Sequence, residues 1–213
     1  MRGFTTEMKN YVALNSMSPK NSVVLFGDGL DKEIPVYEIA GICNLNFKLL
    51  NRSFKKLSVT DAAECYEKCI APLAPESLIL HIGNNDEELF RTNSANFDRA
   101  LLSLIEKIKL SNKKMRIAIV SLQNKAGSEI ISEMNRHLKA IADSERCEFC
   151  DSDKAKVWNP EATRQLYSFL YNVGFVEPLK IKKPIRDIVE LIYSYVNTNL
   201  SPLNDFATMS QVG

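Results

Sequence analysis

The stretch Val23-Val24-Leu25-Phe26-Gly27-Asp28-Gly29-Leu30 constrains the fold more than any other part of the chain. Four apolar residues, two of them β-branched, run straight into Gly-Asp-Gly. A short apolar run ending in glycines is the pattern of a strand buried on both faces, followed by a tight turn. Pro35 and the apolar positions beyond it predict a helix from near Asp31, with Asp31 placed to cap it. The turn then lies at the carboxyl end of a strand and the amino end of a helix, where open parallel sheets hold their ligands. Leu78-Ile79-Leu80-His81-Ile82, followed by Gly83-Asn84-Asn85-Asp86, has the same shape.

The rest of the chain alternates in the same way. Strands are predicted over 23–26, 46–51, 77–82, 115–121 and 147–150. Helices are predicted over 32–43, over 61–71 capped by Thr60 and stopped by Pro72, over 94–110, and over 128–143. Pro184 opens a last helix with Ile185, Ile188, Val189, Ile192 and Val196 on one face. Residues 1–21 form an N-terminal arm or peripheral helix, 22–197 a single domain, and 198–213 a tail. Between them, 151–183 is irregular with one short helix, and Trp158 and Tyr167 fall there as core or pocket residues. Strands alternating with helices imply a three-layer α/β/α sandwich on a five-stranded parallel sheet. Right-handed crossovers favour the order 2-1-3-4-5, a flavodoxin-like winding. Strands one and three are then neighbours, and the Gly27-Asp28-Gly29 and Gly83-Asn84-Asn85-Asp86 turns face one crevice.

Charge excludes one class of partner. Lys and Arg number 27 against 26 Asp and Glu, a formal net charge of +1, so no basic face for nucleic acid is expected. No apolar run approaches the roughly 20 residues of a membrane span. Residues 1–21 are too polar for a secretory leader, and a cytoplasmic location is expected. The 5 cysteines are an odd number, unlike a secreted disulfide framework. Cys65 and Cys69 with Cys147 and Cys150 have the residue types of a zinc site, but their flanks read as helix and strand rather than metal-binding turns. Free thiols are the expectation, with no metal and no cofactor.

The two turns resemble the signature of the SGNH (GDSL-type) hydrolase superfamily. Its first block is Gly-Asp-Ser after strand one, and its third is Gly-x-Asn-Asp after strand three, here Gly83-Asn84-Asn85-Asp86. Asn51-Arg52-Ser53-Phe54 is similar to the second block, and Asn135 stands where many members carry an asparagine. The resemblance runs from about residue 23 to 196. It implies the fold just derived and, in active members, hydrolysis of esters, thioesters and acyl groups. The first-block serine is the nucleophile, a histidine near the last helix activates it, and an aspartate lies three residues before that histidine. Backbone amides of the serine and a second-block glycine, with the third-block asparagine, form the oxyanion hole.

This chain departs at the reacting positions. Gly29 stands where the serine should be. Val173 and Val176 stand where the aspartate and histidine should be, in register with Gly174. Lys55 or Lys56 replaces the second-block glycine, and no histidine follows His137. A triad needs a positioned base to take the proton of a weak nucleophile. The expectation is therefore a non-catalytic relative with no catalytic residues, holding a small ligand or a protein partner at Asp28, Gly29, Gly83, Asn85 and Asp86. Two alternatives stand beside it: an active hydrolase using a displaced nucleophile such as Ser53 or Ser58, and a purely structural interaction module. Among single residues, Asp28 is expected to orient the turn through backbone amides rather than to bind ligand. Asn85 divides evenly between a ligand donor and a turn asparagine. His81 is expected to be a core histidine, His137 a solvated one, and Ser121 to lie off the crevice.

Overall fold

A computed structural model of the chain describes residues 2–42, 45, 47–124, 127–152 and 185–196. Five parallel strands form one sheet: β1 (Val23–Gly27), β2 (Leu49–Asn51), β3 (Ser77–His81), β4 (Arg116–Val120) and β5 (Glu148–Cys150). Their order is β2-β1-β3-β4-β5, as the alternating pattern predicts. Val23 pairs with Ser77 and Gly27 with His81, so the carboxyl ends of β1 and β3 lie level at the point where the winding reverses.

Each strand serves two cores, because successive side chains point to opposite faces. Val24, Phe26, Leu78, Leu80, Ile117 and Ile119 pack under α3 (Val59–Cys65), α4 (Glu87–Ser111) and α5 (Glu129–Ser144). Val23, Leu25, Ile79, Ala118 and Val120 pack under α2 (Val36–Ile42) and the last helix, α6 (Arg186–Tyr195). At about 25 cal/mol per Å² of apolar area removed from water, this double burial is the main favourable contribution to the fold. It also explains why the strands read as unbroken apolar runs.

The helix boundaries differ from the sequence reading in instructive ways. The segment after Gly-Asp-Gly is a 3-10 turn, Gly29–Glu33, and α2 begins only after Pro35. Asp31 caps nothing; its side chain is buried against the sheet. The cap of α3 is Ser58, whose side chain accepts from the Thr60 amide, rather than Thr60 itself. Beyond Cys65 that helix widens into a π-turn (Tyr66–Ile70) and tightens into a 3-10 turn (Ala71–Leu73) containing Pro72. The helix predicted from residue 94 starts at Glu87, but Asn93 breaks it with φ −157° and ψ 75°. Asn93 Oδ1 accepts from the Asn96 amide at 3.0 Å, so the predicted start is a genuine cap inside a longer element. Strand two is shorter than predicted, at three residues.

The N-terminal helix α1 (Arg2–Asn15) lies on the α3 side. The Tyr11 hydroxyl donates to the Ser53 carbonyl at 2.6 Å, and Asn15 Nδ2 donates to the Cys69 carbonyl at 3.1 Å. A Glu7–Lys32 ion pair at 2.9 Å ties it to the 3-10 turn. No helix among the described residues is long and apolar enough to cross a membrane.

Candidate functional site

Asp28 is the hub of the crevice. It follows β1 in extended conformation and is fully buried. Its Oδ2 accepts from the Gly83 amide at 2.9 Å and the Asn85 amide at 3.4 Å, and its Oδ1 accepts from Asn84 Nδ2. One carboxylate therefore fastens the first turn to the second. Burial pushes the Asp28 carboxyl up from its ordinary value, while His81, Asn84 and the Gly83 amide pull it back, leaving it at about 6.

Gly29 follows at φ +57°, a left-handed conformation that costs an L-residue about 1–2 kcal/mol. Among the described residues, a Cβ there would meet only the Asn84 Cβ, at 3.9 Å. Gly83 also needs its glycine: φ is +131°, and a Cβ would crowd Leu122 and Phe97 at 3.3–3.4 Å. Asn85 is exposed, yet its Nδ2 donates to the Leu57 carbonyl at 3.0 Å and approaches that of Lys55 at 3.4 Å. Its amide fastens the loop after β2, the role of a turn asparagine. Asp86 is buried and faces α3. It accepts the Ser58 hydroxyl at 2.6 Å and the Val59 amide at 2.9 Å, so both its oxygens serve that helix start and neither is free for a ligand. Lys55 and Lys56 are exposed on the same loop.

The displaced nucleophiles of the sequence reading are otherwise engaged. Ser53 is fully buried and its Oγ accepts from the Gly27 amide at 3.0 Å. Ser58 donates to Asp86. Asn135 on α5 brackets residue 122, accepting from the Leu122 amide at 2.7 Å and donating to its carbonyl at 2.8 Å. It thereby holds the loop after β4. Ser121 is buried against Ser152. Val173, Gly174 and Val176, with Trp158 and Tyr167, lie outside the described residues.

Both histidines are held by carboxylates. His137, expected to be solvated, is instead half-buried: its Nδ1 lies 2.9 and 3.0 Å from the Asp98 oxygens and its ring stands edge-on to Phe90. His81 is buried on the α6 side of the sheet, with Nδ1 2.7 Å from Asp31 Oδ2. Tyr193 of α6 donates to both Asp31 oxygens at 3.1–3.2 Å. Burial alone would lower the His81 pKa. The Asp31 charge and hydrogen bond, helped by Asp28, outweigh it and the net shift is upward. This Asp31–His81–Tyr193 cluster was not foreseen. Its signal was present in the sequence: His81 shares the parity of Ile79 along the strand, and Tyr193 adjoins Ile192 on the apolar face of the last helix.

The described cysteines do not converge. Cys65 and Cys69 are buried in the core under α3 and α4, Cys147 packs against that same core, and Cys150 belongs to the opposite one. Burial pushes the Cys69 and Cys147 thiols up to about 11 and Cys150 to about 12, so they are poor nucleophiles and poor ligands at neutral pH.

No protein-family model matches the chain, and no curated protein matches it. Solved structures do. A putative platelet activating factor from Streptococcus pneumonia superposes with TM-score 0.64 at 16% identity, covering 91% of this chain and 91% of that one. A GDSL-like lipase from Bacteroides thetaiotaomicron gives TM-score 0.54 at 16% identity over 71% of this chain and 80% of that one. An esterase, EstA, from Pseudoalteromonas gives 0.52 at 14% identity over 72% and 96%. With the strand order and the two paired turns, these matches identify the fold of this chain as that of the SGNH (GDSL-type) hydrolases.

Proposed function

We propose that this chain is a non-catalytic SGNH-fold protein that holds a small ligand or a partner segment at the former active-site crevice. One observation carries the reading. The residue at the nucleophile position is Gly29, which has no side chain to react, and the chain has only 2 histidines, each held by a carboxylate. Proton abstraction from a hydroxyl needs a positioned base within about 3 Å of it, most often an imidazole. His81 cannot serve, because its Nε2 is shut off from solvent. Ser53 and Ser58, the alternative nucleophiles, have backbone and carboxylate partners instead. Two features support binding: Asp28 joins the two turns, and among the described residues a Cβ on Gly29 would meet only Asn84. That favours binding over a closed structural module.

The crevice is proposed to take a neutral molecule with an apolar face, seated beside Gly29 and capped by the exposed Asn84 and Asn85 amides. The test uses p-nitrophenyl butyrate. Saturation-transfer NMR is expected to show it binding to the wild type without release of nitrophenolate above buffer background. Gly29→Asn, which tolerates a left-handed backbone while filling the space, is expected to abolish the transfer. Turnover that a fluorophosphonate blocks would refute loss of catalysis. Absence of any transfer from the wild type would refute the ligand site.

A further inference from the structure

The crevice reading leaves unused a set of buried ionisable groups directly beneath it. Three elements contribute: the Gly29–Glu33 turn supplies Asp31, β3 supplies His81, and α6 supplies Tyr193. They are 2%, 4% and 0% exposed. The His81 and Tyr193 rings meet edge to face at 4.9 Å, and Asp31 bonds both side chains. The packing leaves no slack, for a Cβ on Gly27 would fall 1.8 Å from Asp31 Oδ2. His81 Nε2 is buried with no well-formed hydrogen bond, although the Ser121 carbonyl at the end of β4 favours a proton there.

Among the described residues, few groups face this cluster. Asp28 and Asp31 approach His81 from the first turn, and Tyr193 from α6. Cys150 of β5 acts on Tyr193 from the far side, itself beside Arg186 and Glu190 of α6. His81 is thus a buried imidazole beside two buried carboxylates, both of which favour its charged form. When it is charged, Asp31 is compensated where it stands. When the Nε2 proton leaves to solvent, the Nδ1–H bond to Asp31 remains but the compensating charge is gone, and an ionised carboxylate is left in the core with neutral donors only. Such a group is costly to keep buried.

We propose that the Asp31–His81–Tyr193 cluster is a proton-operated clamp that joins α6 to the Asp28–Gly29 turn, closed when His81 is charged and loosened at both ends together when it is neutral. It sets the shape of the crevice from below, whether or not the crevice performs chemistry. The Tyr193 hydroxyl, donating to both Asp31 oxygens, joins α6 directly to residues 29–33.

The experiment is hydrogen exchange on the full chain at about pH 6 and about pH 9, corrected for intrinsic rates, read at residues 29–33 and 186–195. In the wild type both segments are expected to lose about tenfold or more in protection at the higher pH, in parallel. His81→Asn keeps a neutral donor toward Asp31 but cannot charge, and its protection in both segments is expected not to change with pH. Tyr193→Phe removes only the hydroxyl. It is expected to lower α6 protection at the lower pH while leaving residues 29–33 as in the wild type. Wild-type protection that is flat with pH, an equal pH response in His81→Asn, or an unaltered α6 in Tyr193→Phe would each overturn the proposal. If His81→Asn does not fold, the imidazole nitrogen spectrum of the wild type decides. Both nitrogens protonated at about pH 6, with Tyr193 ring signals moving as His81 deprotonates, is expected. A neutral His81 at that pH would overturn it.

Discussion

Gly27→Ala tests the buried cluster from its most sensitive point. Gly27 has ordinary strand geometry and needs no left-handed freedom; it is a glycine because of what lies over it. An added methyl would come 1.8 Å from Asp31 Oδ2, 2.7 Å from its Cγ and 2.9 Å from its Cβ. The last distance decides the cost. A clash with the tip alone could be relieved by rotating the carboxylate, whereas a clash that reaches Cβ requires the Gly29–Glu33 turn itself to move. Asp31 would then leave His81 and Tyr193, separating a carboxylate from the imidazole that compensates it, a pair buried to within a few per cent of full occlusion. Breaking such a pair costs about 3–5 kcal/mol. For a chain of this size that corresponds to a fall in Tm of roughly 6–20 °C. Urea unfolding followed by circular dichroism measures it, with Gly29→Ala as the control. There the new Cβ meets only Asn84, at 3.9 Å, among the described residues, so left-handed strain of about 1–2 kcal/mol is the expected effect. If Gly27→Ala costs no more than Gly29→Ala, the close packing argued for Asp31 is wrong.

Further measurements address separate parts of the site. A carboxyl raised to about 6 in the fold stabilises fully below its unfolded value near 4, and that contribution is lost as pH climbs through 6; Asp28→Asn is therefore expected to flatten this part of the wild-type stability profile between about pH 4 and pH 6.5, measured by urea titration. Asn85→Ala removes the bonds to the Leu57 and Lys55 carbonyls and is expected to cost about 1 kcal/mol and to raise proteolytic cleavage after Lys55 and Lys56; no change in either would remove its structural role. Phe97→Ala, which empties a fully buried ring beneath Gly83, is expected to cost about 3–5 kcal/mol in the same assay. Gly29→Ser with Val173→Asp and Val176→His is expected to fold within about 2 kcal/mol of the wild type at position 29 and, if the crevice keeps its ancestral form, to gain fluorophosphonate labelling at residue 29.

The sheet was legible because burial on both faces leaves no choice of residue. Val23 to Phe26 and Leu78 to Leu80 must be apolar at every position, and strand order then follows from handedness. The paired turns were legible because glycines mark them. Roles that depend on which way a polar side chain turns were harder to read. Asp31 has the spacing of a helix cap, yet it turns inward because His81 and Tyr193, 50 and 162 residues away, compensate it there. Asp86 stands in a motif that faces ligands elsewhere, but here it serves the start of α3. His137 looked solvated in its charged neighbourhood, since nothing local reveals that Asp98 and Phe90 lie across the helix pair. Ser58 was passed over for Thr60 because both can cap and only the tertiary bond to Asp86 separates them.

The loops around the crevice are held by residues that do not react. Asp28 joins the first turn to the second, Asn85 and Asp86 fix the loop and helix after β2, and Asn135 fixes the loop after β4, each through backbone partners. None of these bonds involves position 29. The side chain at position 29 can therefore change while the frame around it stays under selection for folding alone.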